Sequence, residues 1–332
     1  MIKVSIIVPI YNVEPYIARC LQSVMDQTYT GPMECLLVDD CGTDNSMAVA
    51  EQMISAYKGP IDFKVLHHEH NRGLSAARNT GTDAAIGDYV YYLDSDDTIA
   101  PDCLALMAAE VEKHPGVEMV MGAHDILYVD GTIRTAAREF SPGYVDNNEW
   151  IRVHFFKEGD CLKVTAWNSL LKFAFIRENG LRFKEGVIHE DEHWSFFLYQ
   201  KLTSLAVLED VTYLHFVTPN SIMTSNTWEK RAENTFIILE DMIRGLSAPF
   251  RSLLVFKCLE HFRFNVLPYI PKRQIRGMYF RFFHELLRMG QYRIAFYWLI
   301  NWYHNLKHAQ LYYNMIPDAY KMDTEKALTS LR

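Results

Sequence analysis

The feature that most constrains this chain is an alternation between short apolar runs and segments with helical spacing. VSIIVPI (Val4–Ile10) is β-branched and almost wholly apolar, as a strand buried on both faces must be. NVEPYIARCLQSVMDQT follows, with Pro15 in a first turn and Ile17, Leu21 and Val24 on one helical face. ECLLVDD (Glu34–Asp40) reads as a second strand. A helix that Asp44 or Asn45 can cap comes next, then a third strand, DFKVLHH (Asp62–His68). The small-residue helix GLSAARNTGTDAAIG leads to a fourth strand, DYVYYLD (Asp88–Asp94). The helix PDCLALMAAEVEKH and a fifth strand, VEMVMG, close the series. This spacing predicts βαβ units, hence an α/β fold with a mostly parallel central sheet.

In such sheets ligands bind beyond the carboxyl ends of the strands. Tyr11 and Asn12, Asp39 and Asp40, and Asp94, Asp96 and Asp97 all follow strands there, so residues far apart in sequence converge on one crevice. Farther on, GAHDILYVDGTIRT reads as a hairpin about Asp130-Gly131 and HEDEHWSFFLYQ as a helix with an acidic first turn. LAVLEDVTYLHFV reads as a strand pair, and the chain from Trp228 onward as helical. The predicted organisation is an α/β domain over 1–220, in halves 1–122 and 123–220, and a helical basic-aromatic region over 228–332.

Charge supports that division. Residues 251–313 carry a net +8 while the remainder carries −16, within an overall −8. The six cysteines form no CxxC pair and sit in apolar runs, which argues for reduced thiols over a disulfide framework or zinc site. The N-terminus has no small-residue cleavage site, and no apolar run reaches the ~18 residues of a membrane span. The expected location is the cytoplasm.

YYLDSDDT (Tyr91–Thr98) places three carboxylates within four residues, a repulsive arrangement that asks for a reason. Helix capping by Asp97 or Thr98 explains one of them. A divalent cation explains more, since Mg²⁺ or Mn²⁺ takes oxygen ligands and cancels the repulsion. A phosphatase-type nucleophile in DxDxT is a third reading, although that motif usually follows a first strand. HNRGLSAARNTG sets Arg72 and Arg78 around a glycine-rich helix entrance, which suits anions.

Taken in order, VSIIVPIYNVEPYIARCLQSVMDQTY, LLVDDCGTDNS, NRGLSAARNTG, YLDSDD and HEDEHW resemble family 2 glycosyltransferases, inverting enzymes of the GT-A fold, over roughly Val4–Leu198. The resemblance implies that Pro9 and Tyr11 line a nucleotide base and that Asp39 reads the uracil N–H. It implies that Arg72, Arg78 and Asp94 belong to the nucleotide-sugar site. Asp96 is expected between ribose and metal, Asp97 as the direct ligand of Mn²⁺ or Mg²⁺, and Asp191 as the base toward the acceptor. Glu190 and Trp167 fall on the implied acceptor side. Spacing alone does not separate Asp191 from Glu190 or Glu192, and Trp167 suits a sugar-stacking platform and a core residue equally. Cys41-Gly42 departs from the family's usual Gly-Ser turn.

The implied reaction is metal-dependent transfer of a hexosyl or N-acetylhexosaminyl group. It passes from a nucleotide-sugar, expected to be a UDP-sugar, to a hydroxyl of a saccharide or lipid-linked acceptor in envelope polysaccharide synthesis. A non-catalytic sugar-nucleotide-binding homologue and a metal-dependent phosphohydrolase are the alternatives. The basic-aromatic tail fits either a peripheral contact with an anionic membrane surface or helices packed on the acidic domain. No nucleic-acid-binding module is visible.

Overall fold

A computed structural model of the chain describes residues 1–135, 143–157, 164–217, 228–245 and 272–300, except 293, 294 and 297. The chain forms two compact units, Met1–Gly186 with Leu198–Thr218, and Val187–Phe197 with Pro219–Arg332.

The first unit is built on β1 (Val4–Ile10), α1 (Ile17–Met25), β2 (Met33–Asp39), α2 (Ser46–Ala56), β3 (Asp62–His67), α3 (Leu74–Ala84) and β4 (Tyr89–Tyr92). β5 (Thr98–Ile99), α4 (Cys103–Lys113), β6 (Met119–Leu127), β7 (Ile133–Thr135), β8 (Tyr144–Val145), α5 (Asn148–Lys157), β9 (Ser169–Lys172) and α6 (Phe173–Glu178) follow. α7 (Glu190–Lys201) begins in the second unit, and β10 (Leu205–Phe216) completes the sheet. The strand order is β3-β2-β1-β4-β9-β6-β10-β5, with β7 on β6 and β8 on β10. β3, β2, β1 and β4 are mutually parallel, while β9 enters antiparallel between β4 and β6. This is the α/β architecture that the strand and helix spacing predicts.

Sequence explains the layering. All seven residues of β1 are buried, because it is paired on both edges and covered on both faces. β3 is half-exposed because, among the described residues, only β2 pairs with it. α1 turns Ile17, Cys20, Leu21 and Val24 inward at the expected helical spacing. α3 lies close to the sheet: a Cβ at Gly81 would sit 2.4 Å from Ile7 Cγ2, so only glycine permits this approach.

One reading is corrected. LAVLEDVTYLHFV is a single twelve-residue strand, β10, not a strand pair. Its exposed Glu209 and Asp210 look like a turn in sequence, but register shifts beside β6 between Val207 and Tyr213 absorb them as a bulge.

The second unit contains α8 (Trp228–Arg244) and α9 (Lys272–Arg288). Phe236, Leu239 and Ile243 of α8 are buried, as are Tyr279, Phe282 and Leu286 of α9. Arg281 pairs with Glu240 at 2.6 Å and Arg244 with Glu285 at 3.2 Å. Some of the cations read from the tail thus find partners within their own unit. Of the basic stretch 251–313, residues 251–271 and 301–313 lie outside the described residues.

Candidate active site

Ile10 lies beside Asp39 and Ile7 beside Tyr92, so the carboxyl ends of β1, β2 and β4 open on one edge of the sheet. β2 and β4 flank β1 on opposite sides. The strand order therefore reverses at β1, the point beyond whose carboxyl end α/β sheets take their ligands. Pro9 is buried within β1, and Tyr11 just beyond it is 46% exposed. Asp39 Oδ1 accepts from the Cys41 amide at 3.0 Å, and its Oδ2 lies 3.0 Å from His67 Nδ1.

The neighbouring Asp40 points inward and is a structural hub. Its carboxylate accepts from the amides of Arg72 and Gly73, each at 2.8 Å, and from Asn71 Nδ2 at 3.1 Å. His68 Nδ1 lies 2.6 Å from it, and His68 Nε2 lies 2.9 Å from Thr80 Oγ1 of α3. A buried carboxylate with this many donors is well satisfied, and it pins the entrance of α3.

α3 carries the connection onward. Arg78, only 1% exposed, donates to Asp94 Oδ1 at 2.8 Å and packs over Phe183. Arg72 is on the surface, 3.3 Å from Glu185.

The three carboxylates of DSDD diverge. Asp94 faces Arg78, and Asp96 is half-buried, its carbonyl accepting from Arg19. Asp97 is fully buried: Oδ1 accepts from the Phe216 amide at 2.8 Å and Oδ2 from Tyr213 Oη at 2.6 Å, with His215 Nδ1 3.1 Å from Oδ2. Burial pushes the Asp97 carboxyl above the usual range, against the hydrogen bonds from His215 and Tyr213. Burial works against a charged His215, but the hydrogen bond and charge of Asp97, with Asp96 and Asp94, outweigh it and raise the imidazole. Arg19 covers the same corner, its guanidinium 3.5 Å from the Phe216 ring centroid.

Trp167 is 8% exposed and belongs to the core cluster, stacked against Tyr213 at 4.5 Å and His215 at 5.7 Å. Its burial is that of a core residue.

In the second unit, α7 opens after His189, which adopts a left-handed φ of 66°. Glu190, Asp191 and Glu192 occupy its first turn, favourable against the helix dipole. Glu190 is 8% exposed and Asp191 half-buried. Asn234 of α8 accepts from the Ile188 amide at 3.0 Å, just ahead of that turn.

The donor set at the sheet edge fits a hard divalent cation that shares its ligands with phosphate. Asp94 and Asp96 offer oxygens only, and Mg²⁺ is commonly held by one or two carboxylates with phosphate and water. Among the described residues no group of three or more His, Cys, Asp or Glu forms a ready-made metal cage. Tyr213, His215, Arg19 and the hub role of Asp40 were not legible in sequence. Tyr213 and His215 look like ordinary strand residues, and only β10 pairing with β5 brings them to Asp97.

Among the described residues no helix is long and apolar enough to cross a membrane. The family model for glycosyl transferase family 2 matches residues 5–182. The protein EpsH of Bacillus subtilis (strain 168) is 30% identical over 224 residues. The match covers 66% of this chain and 62% of EpsH, so the chain spans less than two thirds of that relative. S. aureus TarS 1–349, solved in complex with UDP-GlcNAc, superposes with a TM-score of 0.72 at 22% identity, covering 94% of this chain and 91% of that one. The mannosyltransferase PcManGT from Pyrobaculum calidifontis, solved with GDP-Man and Mn²⁺, gives a TM-score of 0.57 at 18% identity, covering 99% and 87%.

Proposed function

This chain belongs to glycosyl transferase family 2, and on that footing we propose that it transfers a hexosyl or N-acetylhexosaminyl group from a UDP-sugar to a hydroxyl of a saccharide or lipid-linked acceptor, with inversion, in envelope polysaccharide synthesis. The observation that carries the reading is the gathering of Tyr11, Asp39, Asp94 with Arg78, and Asp96 at one sheet edge. TarS, a poly(ribitol-phosphate) β-N-acetylglucosaminyltransferase that is 27% identical over 218 residues, supports the choice of donor.

In this reading Tyr11 packs on the base beside Pro9, and Asp39 accepts the uracil N–H. Arg78 fixes Asp94 at the ribose side of the site, and Arg72 flanks the diphosphate. Asp96 would hold the cation, Mn²⁺ or Mg²⁺, which when bound would stabilise charge on the departing diphosphate. Asp97 was the expected direct ligand; we place that role on Asp96 because Asp97 is fully buried and turned toward Tyr213 and the Phe216 amide, whereas Asp96 is half-buried at the sheet edge. Asp97 instead sets the shape of the loop. Asp191 takes the proton of the attacking hydroxyl as its bond to the anomeric carbon forms, with Glu190 alongside on the acceptor side. The basic C-terminal region is assigned to an anionic membrane surface on the cytoplasmic side, where lipid-linked acceptors lie.

The test is Asp191→Asn. Release of UDP from UDP-GlcNAc with Mn²⁺ should be lost while UDP binding persists. Undiminished release would remove Asp191 as the base. A thermal-shift screen of UDP-, GDP- and dTDP-sugars, with Mn²⁺ or EDTA, tests the donor. Stabilisation by GDP-sugars alone would overturn the UDP assignment.

A further inference from the structure

Arg72 has an anchored backbone and an exposed side chain. Its amide and that of Gly73 donate to the buried Asp40, and Gly73 holds a left-handed φ of 86°. The side chain is 41% exposed, and its guanidinium meets Glu185 Oε2 at 3.3 Å. Glu185 is anchored from its other side: Oε1 accepts from Asn79 Nδ2 at 3.2 Å. Asn79 is 4% exposed and locked to the main chain of Phe183, accepting from its amide at 3.0 Å and donating to its carbonyl at 2.9 Å. Two rigidly mounted groups thus meet through one long, solvent-washed contact, the kind of ion pair that contributes little by itself. A diphosphate offers more charge and a bidentate geometry that an arginine prefers.

We infer that Glu185 tunes donor and product affinity by competing with the diphosphate for the Arg72 guanidinium. The inference rests on the reading of Arg72 as a diphosphate contact. Glu185 is then a positioning residue, acting on the ligand only through Arg72. The competition weakens UDP binding modestly, and in enzymes whose turnover is limited by product release that is an advantage. The arrangement also explains why Asn79 is spent on the 183–185 segment: an unanchored glutamate would drift away from Arg72 and lose the competition.

The test is a double-mutant cycle read by UDP and uridine affinity with Mn²⁺ present. Glu185→Gln keeps the Asn79 contact and removes the charge, and it should tighten UDP about 2- to 5-fold, the range an exposed ion pair spans. Uridine, which lacks the diphosphate, should bind unchanged. In an Arg72→Ala background, the Glu185→Gln gain should vanish. Unchanged UDP affinity in Glu185→Gln overturns the inference, and so does an equal gain in the Arg72→Ala background, which would mark a general charge effect. Should Arg72→Ala by itself leave UDP binding intact, the diphosphate role of Arg72 fails and the inference falls with it. If Arg72→Ala weakens UDP while Glu185→Gln does nothing, only the inference fails.

Discussion

Arg78 reaches Asp94 at 2.8 Å from opposite surroundings: the arginine side chain is 1% exposed and the aspartate 24%. The guanidinium is desolvated by the core and the carboxylate stands at the sheet edge, so the pair joins the interior to the site.

That placement makes Arg78→Met a test of what the pair does. Truncation strips a partly buried carboxylate of its counter-charge and opens space beside Phe183. Breaking such a pair from one side costs about 3 kcal/mol. Urea denaturation should show a loss near that size, and UDP affinity should fall with it as Asp94 turns toward water. A change under 1 kcal/mol, on the scale of an exposed pair, would mean that Arg78 is not a keystone.

Asp96 and Asp97 should separate cleanly. Asp96→Asn should lower Mn²⁺-dependent UDP binding at least about tenfold and leave the melting temperature nearly unchanged. Asp97→Asn weakens charge-assisted bonds to Tyr213, His215 and the Phe216 amide, and should cost about 2 kcal/mol of stability. Calorimetric titration with Mn²⁺ and UDP, beside thermal melts, distinguishes them. Reversed phenotypes would return the ligand role to Asp97.

The Asp97–His215 contact carries a pH signature. Both groups hold their protons more tightly folded than unfolded, so each stabilises most at low pH. For His215 the contribution is complete below the ordinary value of 6.5 and is lost as pH climbs through the raised folded value. Melting temperatures of the native protein should therefore fall, relative to His215→Gln, as pH rises above 6.5. Parallel curves would show that the contact does not titrate in this window.

Gly81→Ala drives a methyl against Ile7, whose Cγ2 lies 2.4 Å from the ideal Cβ position. Overpacking of this kind costs about 1–3 kcal/mol. The companion change Ile7→Ala should recover part of the loss, because it removes the atoms that clash. Denaturant midpoints of the two single variants and the pair give the coupling directly, and additive losses would deny the close approach of α3 to β1.

Sequence alone determined the order of strand and helix from β1 to β4, because burial on both faces makes β1, β2 and β4 largely apolar, with the buried Ser5 and Glu34 bonded to each other. It also determined which residues stand at the ends of those strands, so the nearness of Tyr11, Asp39, Asp94 and Asp96 is legible in the sequence. Local patterning failed where partners come from far along the chain. β10 reads as two strands because the bulge at Glu209 and Asp210 resembles a turn, and only pairing with β6 and β5 makes it one. The fate of Asp97 was decided by tertiary structure alone. Its donors Tyr213, His215 and Phe216 lie more than a hundred residues downstream. No spacing rule reaches that far, whereas desolvation makes an unpaired buried carboxylate so costly that the fold must supply them.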